Sequence, residues 1–260
     1  VSYSTLVLHV DFDGGAAADD SGNGYDGTVN GGAATTTGRD GSDALLFDGT
    51  DDYVEFPSGA TADILGSNSR TVCLWVQRDT TTWADGVFFS YGDDNTNYGS
   101  FTVRSNCCSD DILVMREGAN NNDDATIAGS TTFDDGEWHH ICETYDGTNL
   151  VLYFDTTVVR TLTFALDTQS TYPLVLGGNI GDYGWEFKGA MDELYVYSSA
   201  LDAASIQVLY DAVTAAPTVT PLPTHVSYST LVLHVDFDGG AAADDSGNGY
   251  DGTVNGGAAT

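Results

Sequence analysis

Positive charge is what this chain has least of. Its 260 residues carry 7 Lys+Arg against 39 Asp+Glu, a formal net charge of −32 at pH 7, and Lys188 is the single lysine. Such a surface repels polyanions, so nucleic acid is excluded as an electrostatically recruited partner. Long apolar runs are missing too. None reaches the roughly 18 residues of a membrane helix, so no direct membrane insertion is expected. Glutamate is scarce: 6 of the acids are Glu and 33 are Asp. Asp prefers turns and Ca²⁺ sites to helix interiors, and 31 Gly point the same way, towards a loop-rich β protein. No Asn-X-Ser/Thr sequon occurs, so a glycan would be O-linked. The chain begins at Val1 with neither an initiator Met nor a signal peptide, which suggests a processed chain or a piece of a longer one.

What is present can build a core. Hydrophobic residues make up 41%, with 14 Tyr, 11 Phe and 4 Trp, too much for a disordered acidic tail. Between Leu6 and Tyr197 the apolar residues fall into short alternating runs at 6–12, 44–49, 53–56, 71–77, 86–91, 100–104, 111–117, 138–145, 150–155, 160–166, 173–178 and 192–198, separated mostly by Gly, Asn or Asp. This spacing predicts an all-β antiparallel β-sandwich or jelly roll. One short C-terminal helix is predicted from about Asp202 to Asp211, with Asp202 as N-cap and Ile206, Leu209 and Tyr210 as its packing stripe.

The last 35 residues, Val226 to Thr260, are identical to Val1 to Thr35 at every position, a period of 225. This reads as the start of the next copy of the same domain. Ahead of it, DAVTAAPTVTPLPTH (211–225) holds three of the five prolines, Pro217, Pro221 and Pro223. Proline keeps such a segment extended as a semi-rigid spacer. Interleaved Thr214, Thr218, Thr220 and Thr224 suit O-glycosylation. The expected organisation is a domain over 1–210, a Thr/Pro linker over 211–225 and a new repeat over 226–260.

The segments LVLHVDFD, DDSGNGYDGTV, FDGTDDYVEFP, TVCLWVQ, WHHICETYDGTNLVLYFD, LVLGGN and FKGAMDELYVYSSALDAASIQVLY, in that order, resemble the laminin-G-like branch of the concanavalin A-like jelly rolls over about residues 3–210. TVCLWV with WHHICETYDG is similar to the pentraxin-type version. The resemblance implies a disulfide between Cys73 and Cys142, hence an oxidising, extracellular setting. It implies nothing for the adjacent Cys107 and Cys108, for which a vicinal bridge, a cross-link to a neighbouring subunit and free thiols all stay open. It also implies a structural calcium near the first and last strands, with Asp13, Asp19, Asn23, Asp48 and Asp192 at the matching positions; the same residues make Asx turns and caps equally well. A second calcium rim would lie at 91–99 and 177–187. There Asn97 and Tyr98 replace an Asp-Asn pair and Asn179, Ile180 and Gly181 replace a Glu-Gln-Asp run, leaving Asp93, Asp94 and Asp182 as candidates.

An enzyme is not expected. Retaining glycosidases on this fold carry Glu-X-Asp-X-Glu, and no Glu here has a second Glu at i+4; no Gly-X-Ser-X-Gly elbow or His-Glu-X-X-His helix occurs either. His139 and His140, on one strand, are expected to face opposite ways, one buried and one exposed. Trp75 and Trp138 are expected in the core. Trp83 and Trp185, in loops, could contact a glycan or a subunit interface. The expected function is a structural repeat module of an extracellular fibre or giant cell-surface protein, whose partners are copies of itself. Its repeats would be joined covalently, or by strand Leu231 to Phe237 completing a neighbour's sheet. The alternative is a glycan-binding adhesion module displayed in tandem.

Overall fold

Alternation sorts the strands into inward and outward faces. The computed structural model describes residues 3–80, 86–93, 95–96, 98–105, 113–116, 125–126, 133, 135–163, 165–178, 185–214, 235–236 and 243–244. Contacts divide the chain into a unit of Val1–Ala216 and a unit of Pro217–Thr260. In the first unit the strands are β1 (Leu6–Val10), β2 (Thr28–Asn30), β3 (Ala34–Thr37), β4 (Asp43–Asp48), β5 (Tyr53–Glu55), β6 (Arg70–Arg78), β7 (Gly86–Gly92) and β8 (Ser100–Ser105). They continue with β9 (Leu113–Arg116), β10 (Ala125–Thr126), β11 (Trp138–Tyr145), β12 (Asn149–Phe154), β13 (Thr157–Thr163), β14 (Tyr172–Leu176) and β15 (Lys188–Tyr197), and close with helix α1 (Ala203–Thr214).

Two antiparallel sheets form. One runs β13-β12-β11-β6-β15-β4-β3 with β1 added on β15, and the other runs β10-β9-β8-β7-β14-β5-β2. This is the predicted β-sandwich. Its core is the inward set of both sheets, among them Leu8, Val10, Val72, Leu74, Val76, Phe88, Phe89, Phe101, Ile141, Leu194 and Val196. Part of the outward face of the first sheet is also buried. Cys73, Cys142, Tyr153 and Tyr197 pack there under Ile206 and Leu209 of α1.

Helix α1 starts as predicted, with Asp202 Oδ1 accepting the Ser205 N–H at 2.9 Å. It continues to Thr214, three residues beyond the sequence estimate, into the stretch read as linker. Because α1 covers the outer face, His139 and His140 do point opposite ways but both are buried, at 7% and 1% exposure. The expectation of one exposed histidine fails for that reason. Trp75 is buried on the outer face, in contact with His140 and Tyr210.

β15 positions the site. Its first half, Lys188 to Met191, pairs with β4, and its second half, Leu194 to Tyr197, pairs with β1. Between the halves is a bulge against β6, where the register steps from Asp192↔Trp75 to Tyr195↔Cys73. Glu193 absorbs the extra residue at φ 51, a left-handed conformation costly for a residue with a Cβ. The bulge resets the alternation. Met191, Leu194 and Val196 stay in the core while Tyr195 and Tyr197 join the outer face.

In the second unit, Val235 pairs with Asp244 and Asp236 with Ala243. By sequence these correspond to Val10 with Asp19 and Asp11 with Ala18. The first copy holds the same register, with the Asp20 N–H donating to His9 O at 2.8 Å.

Candidate functional site

The loop after β1 folds back along that strand's outer edge. Asp19 Oδ1 accepts the His9 N–H at 3.4 Å, and Ser21 Oγ donates to Val7 O at 3.1 Å. Asn23 Nδ2 donates to Val7 O at 2.9 Å and Leu6 O at 3.2 Å. Asp19 also takes the N–H groups of Ser21 and Tyr25, each at 2.9 Å. Burial alone would raise the Asp19 carboxyl, but the hydrogen bonds from Ser21, Tyr25 and His9 outweigh it and hold it below its ordinary value. Two of the residues matched to calcium thus clothe a sheet edge that would otherwise offer bare backbone groups.

The other three lie elsewhere. Asp13 Oδ1 accepts the Asp43 N–H at 3.0 Å, and Asp43 Oδ2 accepts the Gly14 N–H at 3.1 Å, a reciprocal clasp. Asp48 groups with Asp51 and Asp52, their carboxylate oxygens within 4.8 Å of one another. Burial raises the Asp52 carboxyl, with Asp48 and Asp51 adding to the shift. Asp192 is fully buried and takes the Arg39 N–H at 2.9 Å. Gly38 packs close beside it, and a Cβ there would press on Asp192 Oδ2. Among the described residues, Asp13, Asp19 and Asp192 belong to no cluster of three acidic, His or Cys ligands. At the second rim, Asp93 accepts from the Asn95 N–H at 2.9 Å and from Thr96 Oγ1 at 3.1 Å. Asp94, Asn97 and 179–182 lie outside the described residues, as do Trp83, Cys107, Cys108, Thr218, Thr220 and Thr224.

Cys73 and Cys142 are Cα partners on β6 and β11 and form the disulfide that the resemblance implies. His140 lies 3.6 to 3.7 Å from Cys142 Sγ, and burial depresses its pKa to about 4, so this Cys-His-Cys cluster is a bridged pair beside a neutral imidazole. Trp185 is half-buried at φ 58, with the Arg104 guanidinium 4.7 Å over its ring.

Sequence reasoning missed one feature, a groove of about 320 Å³ between β1, β15 and α1. Tyr195 and Tyr197 line it, with Leu6 and His9 of β1, Asp20 and Ser21 of the loop after β1, and Val208, Leu209 and Ala212 of α1. The His9 and Tyr195 rings stack at 4.2 Å with a 14° interplanar angle, and His9 Nε2 lies 3.0 Å from Glu193 Oε2. The alternate tyrosines of ELYVY were the available signal. The bulge that aims them outward left none.

No helix among the described residues is long and apolar enough to cross a membrane. Residues 48–207, more than half of the chain, match the laminin G family described as the concanavalin A-like lectin/glucanases superfamily. The chain belongs to this family. No curated protein matches it in sequence. Among solved structures it is similar to domain 4 of an extracellular GH43 arabinanase from Geobacillus stearothermophilus, in complex with arabinotriose. Identity there is 22% and the TM-score 0.59, over 79% of this chain and 98% of that domain. It is also similar to the binding domain of Paraclostridial Mosquitocidal Protein 1, at 15% identity and a TM-score of 0.62, over 81% of this chain and 52% of that one. A third is the binding domain of botulinum neurotoxin DC in complex with rat synaptotagmin II, at 11% identity and a TM-score of 0.63, over 82% and 53%. The chain spans about half the length of these toxin domains. At such identities the likeness is one of fold.

Proposed function

We propose that this chain is a non-enzymatic repeat module of an extracellular fibre or giant cell-surface protein, in which jelly-roll domains follow one another along Thr/Pro linkers. One observation carries the reading: the 35 residues that recur without a change at Val226–Thr260 are, in the first copy, integral to the sandwich. They supply β1 on β15, the turn clasped to Asp43 and β2 on β5. A segment so dependent on the rest of a domain is of use at a second place only with a domain to join. The β16 (Val235–Asp236) and β17 (Ala243–Asp244) pairing, in the register of the first copy, supports this. The covalent form, with Val226 opening the next domain, needs no unusual topology. In the strand-exchanged form, Leu231 to Phe237 would add to β15 of a neighbour. The Cys73–Cys142 disulfide supports an oxidising setting. Negative-stain images of the natural material test the proposal: beads at regular spacing are expected, and dispersed single domains would overturn it.

A second reading, a glycan-binding module displayed for avidity, draws on the arabinotriose complex of the similar arabinanase domain, 98% of which aligns with this chain. Glycan-array binding lost in Trp185→Ala would favour it over a purely structural role.

A further inference from the structure

We propose that the groove between β1, β15 and α1 receives an arginine side chain of a partner protein, its guanidinium held at Asp20 and its aliphatic stem along α1. The groove is lined by both apolar and acidic side chains. Val208 and Leu209 of α1 and Leu6 of β1 are its apolar lining, and Val208 is 51% exposed, one of few large hydrophobic side chains left open to water among the described residues. The loop after β1 contributes Asp20, the carboxylate among the lining residues, and Ser21, and His9 beside them lies 3.0 Å from Glu193 Oε2. Negative charge is concentrated there. Burial raises the neighbouring Asp11 carboxyl, and the fields of Asp20, Asp13 and Glu193 add to the rise. Neither Lys nor Arg lines the groove.

These features select among ligands. A cavity of about 320 Å³ is at the small end of ligand sites, enough for one long side chain and too small for an oligosaccharide. The His9 ring already stacks on Tyr195, which leaves less of that ring open as a flat platform for a sugar. A carboxylate in a cleft with apolar lining focuses its field on a cation, and a guanidinium on a three-carbon stem matches Asp20 and the apolar side chains at once. The same chain lays guanidinium groups on aromatic rings elsewhere, with Arg39 over Trp75 at 4.8 Å and Arg70 over Tyr145 at 5.1 Å.

The test is a titration of the full 260-residue chain, followed by amide NMR shifts, with N-acetyl-arginine methylamide, its neutral isostere N-acetyl-citrulline methylamide, and agmatine. The arginine probe is expected to shift His9, Ser21, Tyr195 and Val208, to weaken as salt rises, and to lose about tenfold in affinity in Asp20→Asn, the loss of one charge-assisted contact. Asp20 is exposed, so the variant is expected to fold; its unchanged amide spectrum away from the groove checks this. Asp146→Asn, on the remote turn between β11 and β12, is expected to change nothing. Equal binding of the citrulline probe, shifts scattered over the acidic surface, or an equal loss in Asp146→Asn would overturn the proposal. Tighter binding of agmatine than of the blocked arginine would overturn its assignment to a peptide side chain.

Discussion

The carboxylate of Asp192, fully buried, accepts the backbone N–H of Arg39 at 2.9 Å, tying the middle of β15 to the turn ahead of β4. Burial raises the Asp192 pKa from 3.8 to about 7; the Arg39 amide opposes the rise, and Glu193 and Asp40 add to it. The group therefore contributes stability that is fully present below its unfolded value of 3.8 and is lost as pH rises to 7. The loss is on the order of 4 kcal/mol. Asp192→Asn keeps an acceptor for Arg39 without the charge. Denaturant midpoints are expected to show the variant more stable than the parent at pH 8 and to converge near pH 4.

His139 is held between two carboxylates, with Asp155 Oδ2 at 2.7 Å from Nδ1 and Asp135 Oδ1 at 3.1 Å from Nε2. Burial lowers its pKa, but these hydrogen bonds and charges outweigh burial and leave it raised above 6.5. The stabilisation is present below pH 6.5 and lost as pH climbs through the folded midpoint. A proton NMR titration is expected to place that midpoint above 6.5 in the parent and lower in Asp155→Asn. A midpoint indifferent to Asp155 would refute the clamp.

The Cys73–Cys142 bridge closes a loop with a sequence separation of 69. By loop entropy it is worth about 4 kcal/mol. Urea unfolding of the Cys73→Ala/Cys142→Ala variant is expected to show a loss of that order, with the linked peptide absent from an unreduced digest.

Asp19 separates two uses of the same loop. As an edge cap it serves the His9, Ser21 and Tyr25 N–H groups, and Asp19→Ala is expected to cost about 1–3 kcal/mol. The loss should be the same with and without EDTA, with faster amide exchange at His9 and Tyr25. If calcium at Asp19 held the loop, EDTA would lower the parent's melting temperature and leave the variant's unchanged.

The sandwich was legible because its long strands alternate cleanly, and β6, β7, β11 and β12 lie within a residue or so of their predicted bounds. β3 was not, since Ala34–Thr37 is an exposed run of small and hydroxyl side chains with no apolar partner to set a period. β13 begins three residues earlier than predicted because Asp155 and Thr156, both at positive φ, turn the chain at once after β12. At the site, the acids of the first loop were found, and the sequence left their task open, because an Asx cap and a calcium ligand draw on the same residue types. The groove depends on a bulge at Glu193 and on contact between β1 and α1, distant in sequence. No local pattern announces either.

The pairing of β1 with β15 also has a mechanical side. Leu6, where β1 begins, lies opposite Tyr197, where β15 ends, so a domain drawn out through its two flanking segments is pulled from one shared end of that ladder. An antiparallel ladder loaded in this way opens rung by rung, with each hydrogen bond bearing the force in turn. α1, packed over the disulfide at that end, is then the catch that must slip first. The bridge itself joins β6 to β11 within one sheet, so the chain between Cys73 and Cys142 cannot be drawn out after β1 has peeled away.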